Sequence, residues 1–174
     1  VRPTVVDLTE VERFRIDYAG SAEQRYLVGV GKPVGVVMDF ARARSLGLDS
    51  AALALGAARG LGSGFVWTAA FRSPGATALR LSLSGLDLPA GAELYVYNLG
   101  GQAFGPYAGR GPLDDGVLYT NTVFGDQLLL QLHAPDGDAV RSFTVEEVGV
   151  MGNRFTTARR GAVVMVGRDI GTVV

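Results

Sequence analysis

The chain has 174 residues with a formal net charge of −1; 48% of its side chains are apolar and 19% are charged. That balance and length suit one globular domain and exclude both a disordered chain and a basic field for nucleic acid. The absence of cysteine removes disulfide scaffolds, thiolate metal sites and thiol nucleophiles, and a single histidine removes multi-histidine sites. No apolar run reaches the ~18 residues that a bilayer-spanning helix requires.

Residues 1–23 read as a mixed polar lead-in. Thr9 with Glu12 three residues on is a capping-box pattern and predicts a helical turn or two through Phe14. From Gln24 the period becomes two. Tyr26, Val28 and Val30 share one face, and Val34, Val36, Met38 and Phe40 share another. The intervening Gly31-Lys32-Pro33 predicts a hairpin between them. Residues 41–64 are rich in Ala, Gly, Leu and Arg. Asp49 or Ser50 could cap a short helix ending at Arg59, so a helical insertion is expected over 46–59, with a long surface loop as the alternative.

Beyond Phe65 alternation dominates. Phe65, Trp67, Ala69 and Phe71 share a face, as do Leu79, Leu81 and Leu83, and Leu128, Leu130 and Leu132. Turn chemistry separates the runs at Ser73-Pro74-Gly75, Leu88–Gly91, Gly100-Gly101, Phe124–Asp126 and Pro135–Asp138. This is the pattern of an all-β antiparallel sandwich over residues 24–150. Residues 151–174 read as a linker, GNRFTTARRG, followed by a short strand at Ala162–Val166.

Little in the sequence carries catalysis. His133 falls on the polar parity of its strand, and no Gly-x-Ser-x-Gly elbow is present, so the chain is expected not to be an enzyme. Asp114-Asp115 lies in a loop and is a solvated turn or, as the functional alternative, a calcium site; no other cofactor is implied. Glu146-Glu147 falls in a strand, where a regular run turns one carboxylate inward and a bulge lets both reach water. Trp67 shares its parity with core residues. Tyr95 and Tyr97 share a face with Glu93, and Tyr107 with Arg110 in Gly105–Pro112 is the best candidate for an exposed ligand or partner contact. Arg159-Arg160 is a candidate processing point in an exposed linker.

The run of Phe65–Thr68, Ser73–Ala76, Leu79–Leu81 and Leu88–Tyr97, followed by Gly105–Tyr107, Thr122–Asp126 and Glu146–Gly149, resembles a β-sandwich of secreted bacterial serine proteases. In those proteins, lysyl-endopeptidase-like ones among them, it lies ahead of the trypsin-like domain. The likeness covers about half of the chain. It implies a jelly-roll sandwich akin to galactose-binding-like and proprotein-convertase P domains. It also implies a secreted or cell-surface location and a non-catalytic pro- or accessory role, with a protease domain or other protein as partner. The His, Asp and Gly-Asp-Ser-Gly-Gly of a trypsin-like domain are missing. A carbohydrate-binding module acting through loops and exposed aromatics, and a structural protein assembling through strand edges, are the other two readings; neither nucleic acid nor a membrane span enters any of them.

Overall fold

The computed structural model describes residues 1–17, 26–48, 53–136, 139–152, 163–166 and 169–173. Its elements in chain order are β1 (Thr4–Val5), α1 (Glu10–Asp17), β2 (Tyr26–Leu27), β3 (Gly29–Met38), α2 (Phe40–Ser45), β4 (Ala57–Leu61), β5 (Gly64–Arg72) and β6 (Ala78–Ser84). They continue with β7 (Glu93–Tyr97), β8 (Ala103–Tyr107), β9 (Leu118–Tyr119), β10 (Val123–Phe124), β11 (Gln127–Ala134), β12 (Phe143–Met151), β13 (Val163–Val166) and β14 (Asp169–Val173).

Two sheets form a β-sandwich. The first runs β1-β5-β11-β7-β8 with β4 also on β5; the second runs β10-β6-β12-β3 with β9 also on β6. All pairings in them are antiparallel except that of β1 with β5, which is parallel. Alternation explains the layering. Phe65, Trp67 and Phe71 of β5, and Leu128, Leu130 and Leu132 of β11, point from one sheet into a single core, and Leu79, Leu81 and Leu83 of β6 meet them from the other. All nine are fully buried.

α2 closes one end of the core. The Asp39 carboxylate accepts from the Arg42 amide at 3.0 Å, a side-chain N-cap. The Phe40 ring then stacks on Phe65 at 5.4 Å and meets the edge of Trp67 at 5.4 Å. Trp67 in turn lies 5.9 Å from Phe143 of the second sheet and donates its indole N–H to the Leu55 carbonyl at 2.9 Å.

The capping box at the first helix forms as expected. The Glu12 amide donates to Thr9 Oγ1 and the Thr9 amide to Glu12 Oε2, and α1 runs to Asp17. Of the insertion expected over 46–59, the candidate caps Asp49 and Ser50 lie outside the described residues, and the second described helix falls earlier. It occupies 40–45, and 57–61 is the strand β4, hairpinned onto β5 with Leu61 opposite Gly64. Burial of Phe40 and Ala43 draws the helix to the earlier stretch. The open flank of β5 draws the Ala-rich segment into a strand despite its helix propensity. Gly56 makes the bend into β4 possible: its φ is +75°, and a Cβ there would collide with the backbone of Thr68.

The expected hairpin at Gly31-Lys32-Pro33 is absent too. β3 runs straight through it, paired to β12 from Gly29 to Met38. Pro33 is tolerated because β3 is an edge strand of its sheet and need not donate outward. Gly31 leaves room for the end of the Glu147 side chain, whose carboxylate lies where a Cβ would stand. The lead-in also contributes more than expected, since β1 joins the first sheet.

Val163–Val166 is a strand, as expected, and it pairs within the chain. β13 pairs with β14, and β14 pairs with β2, in a third small sheet. β14 and α1 also lie against β3.

A pair of charges holds α1 to the second sheet. Lys32 Nζ on β3 donates to both carboxylate oxygens of Glu12 at 2.9 Å. That ammonium, with the Thr9 amide next in importance, brings the Glu12 carboxyl down to about 2 from 4.5. A carboxyl lowered on folding stabilises the folded state fully above the unfolded value and loses that contribution as pH falls through the folded one. Wild type is therefore expected to lose stability between about pH 4.5 and pH 2 beyond the loss seen in Glu12→Gln, as read from urea midpoints across that range. For the core, Leu130→Ala is expected to cost roughly 2–5 kcal/mol in the same assay.

Candidate binding face

The outward side chains of the two sheets meet different surroundings. On the second sheet they are partly covered. Ala78 and Met151 are buried with Phe124 against them. Arg80 is only 8% exposed, its guanidinium 5.1 Å from the Tyr119 ring centroid, and burial lowers its pKa. Glu147 lies near enough to Arg80 to oppose that shift. A bulge between Val145 and Glu147 turns both neighbouring glutamates away from the core, with Ser84 donating to the exposed Glu146.

On the first sheet no described element makes extensive contact with the outer face. Cross-strand register places its residues in rows. Gln131 of β11 stands between Thr68 of β5 and Tyr95 of β7; His133 stands between Val66 and Glu93; Leu129 stands between Ala70 and Tyr97. All of these except the buried Ala70 are half-buried.

Tyr95 and Tyr97 are therefore on the face that their parity with Glu93 predicts. The Tyr95 hydroxyl donates to Glu93 Oε2 at 2.8 Å, and this bond raises its pKa, since ionisation would set two anions together. Its ring lies over Gly105 of β8, where a Cβ would come within 2.9 Å of Tyr95 Cδ1. Gln131 Nε2 donates to Thr68 Oγ1 at 3.2 Å and reaches Tyr97 Oη at the long distance of 3.5 Å. Burial raises the Tyr97 pKa.

At the β4 margin the same face becomes apolar. A groove of about 480 Å³ is lined by Val1, by Ala57 through Leu61, and by Val66 and Thr68. Leu61 is 58% exposed at its rim. Neither this groove nor the partners Thr68 and Gln131 follow from local sequence, because the rows join strands distant in the chain.

The remaining sequence candidates lie elsewhere. Tyr107 is on β8 and not in a loop. Its ring packs against the core, and its hydroxyl donates to Asn121 Oδ1 at 2.7 Å while accepting from the Asn121 amide at 2.9 Å. Half-buried, the side chain ties β8 to the segment after β9. Arg110 does not join it in a site: its Nε donates to the Asp114 carbonyl at 3.1 Å and lies 3.5 Å from the Asp114 carboxylate. Asp115 accepts from the Val117 amide at 2.9 Å, so both aspartates shape their own turn. Among the described residues no three His, Asp or Glu side chains gather around a point that could hold a metal ion, and no helix is long and apolar enough to cross a membrane. Arg159 and Arg160 lie outside the described residues.

In comparisons with known proteins, the chain matches no family model, and no curated protein or solved structure shows significant similarity to it.

Tyr107→Phe removes two hydrogen bonds and leaves the ring in place. It is expected to lower stability by about 0.5–1.5 kcal/mol in thermal or urea unfolding.

Proposed function

We propose that this chain is a non-catalytic pro- or accessory domain of an extracellular bacterial serine protease, wound as a jelly roll. It docks on the protease domain and assists its folding or holds it inactive. The likeness of residues 65–153 to the sandwich that precedes trypsin-like domains supports this reading, and one structural observation carries it. The β4 margin of the first sheet combines an apolar groove with an exposed Leu61, and β4 pairs with β5 on one side only among the described residues.

An edge strand of this kind invites an extended segment to pair with it. Natural edges are guarded by lysine, proline or inward charge. β4, with the sequence AARGL, has a single charge at Arg59. A protease surface loop with alternating apolar residues and an acidic group facing Arg59 fits both the groove and the free edge.

The test uses a secreted bacterial lysyl endopeptidase domain whose nucleophilic serine is replaced by alanine. Immobilised, it is expected to retain the wild-type chain. Leu61→Asp should weaken retention roughly tenfold or more, equal to about 1.4 kcal/mol, with little change in melting temperature because the side chain is exposed. Absence of complex, together with no change in the yield or activity of refolded active protease when the chain is added, overturns the proposal.

A further inference from the structure

We infer that the adjoining part of the same sheet face, a strip made by Tyr95, Tyr97, Gln131, Glu93 and His133 with Thr68 at its border with the β4 groove, binds a neutral saccharide. This goes beyond docking at β4 and stands independently of it.

The chemistry of a sugar ring is two-sided. Its C–H faces are apolar and its rim carries hydroxyl groups that donate and accept. A receptor needs an aromatic surface for the first and planar polar groups for the second. The strip supplies both. Tyr95 is held in place at both ends: its ring covers Gly105, and its hydroxyl is bonded to Glu93 at 2.8 Å. A ring fixed in this way loses little conformational freedom on binding. Tyr97 follows two residues later on the same face, roughly 7 Å along the strand. Leu129 beside it adds apolar surface.

The polar groups lie across the strands. The Thr68–Gln131–Tyr95 row crosses three strands and spans roughly 10 Å, enough for more than one sugar unit. The Gln131 carboxamide is positioned by its bond to Thr68, and its second contact, to Tyr97, is long enough to yield to a ligand hydroxyl. The Glu93 carboxylate has a second oxygen and further lone pairs to offer beyond its bond to Tyr95. His133, directly opposite Glu93, adds an imidazole at the end of the strip.

Charge selects the ligand. The strip holds one carboxylate and no arginine or lysine. The arginines of this sheet face are at its margins: Arg72 is paired with Asp126 at 3.1 Å, and Arg59 is on β4. A polyanionic glycan would meet Glu93 without a compensating cation. A neutral one meets hydrogen-bonding groups alone.

The experiment measures binding of the full chain to cellohexaose, xylohexaose, mannohexaose and laminarihexaose by calorimetry, with oligogalacturonate as the anionic probe. At least one neutral oligosaccharide is expected to bind. Tyr97→Ala and Gln131→Ala should each weaken it roughly tenfold or more, about 1.4 kcal/mol, while Leu61→Asp leaves it unchanged. Tyr95→Leu, which keeps cover over Gly105, separates loss of the aromatic face from loss of fold, and circular dichroism of each variant checks that the sandwich is intact. No binding of any neutral oligosaccharide at millimolar concentration overturns the inference. So does binding confined to oligogalacturonate, or neutral binding that Tyr97→Ala and Gln131→Ala leave intact in folded protein.

Discussion

Trp67 is where three parts of the chain meet. It comes from β5, an interior strand of the first sheet, it touches Phe143 of the second, and it receives Phe40 from the helix that closes that end of the core. Its N–H has one partner, the Leu55 carbonyl, so the backbone just before β4 must come to it. A buried indole cannot leave that proton unbonded without cost. The course of the chain from Leu55 into β4 follows from that requirement, and so does the position of the groove beside β4.

The two sheets share one core but use their outer faces differently. The second sheet carries a buried arginine against an aromatic ring and a bulge that re-aims two glutamates, with α1 and β14 close to its β3 edge. The first sheet keeps a broad face of half-buried side chains whose contacts are mostly with one another. Burying such a face under another layer would demand partners for Gln131, His133 and Glu93 together. Where the described elements leave it uncovered, water can satisfy them.

The strands β5, β6 and β11 were legible in the sequence because one side of each is buried and the other is not, which imposes strict alternation. β3 was misread because Gly31 and Pro33, ordinarily turn residues, are there for other reasons: one admits the Glu147 carboxylate and the other sits on an open edge. The helix α2 is not marked by periodicity: its cap at Asp39 is one of several possible caps in the stretch, and it is the aromatic contacts of Phe40 that hold it in place. In the binding face, Tyr95 and Tyr97 could be read from parity with Glu93. Gln131 and Thr68 could not, since the order β5-β11-β7 brings together segments whose adjacency no local pattern reports. The Gly- and Pro-rich stretch around Tyr107 does not reveal that its hydroxyl spans to Asn121.

The third sheet sets an order on synthesis. β2 precedes the sandwich strands β3 to β12 in the chain and its partner β14 follows them. As the polypeptide leaves the ribosome, the sandwich can complete its hydrogen-bonded ladders before β14 exists. Tyr26 and Leu27 must wait for residues 172 and 173 to emerge. The β2–β14 pairing can therefore form only after the sandwich strands that separate the two in sequence have been made.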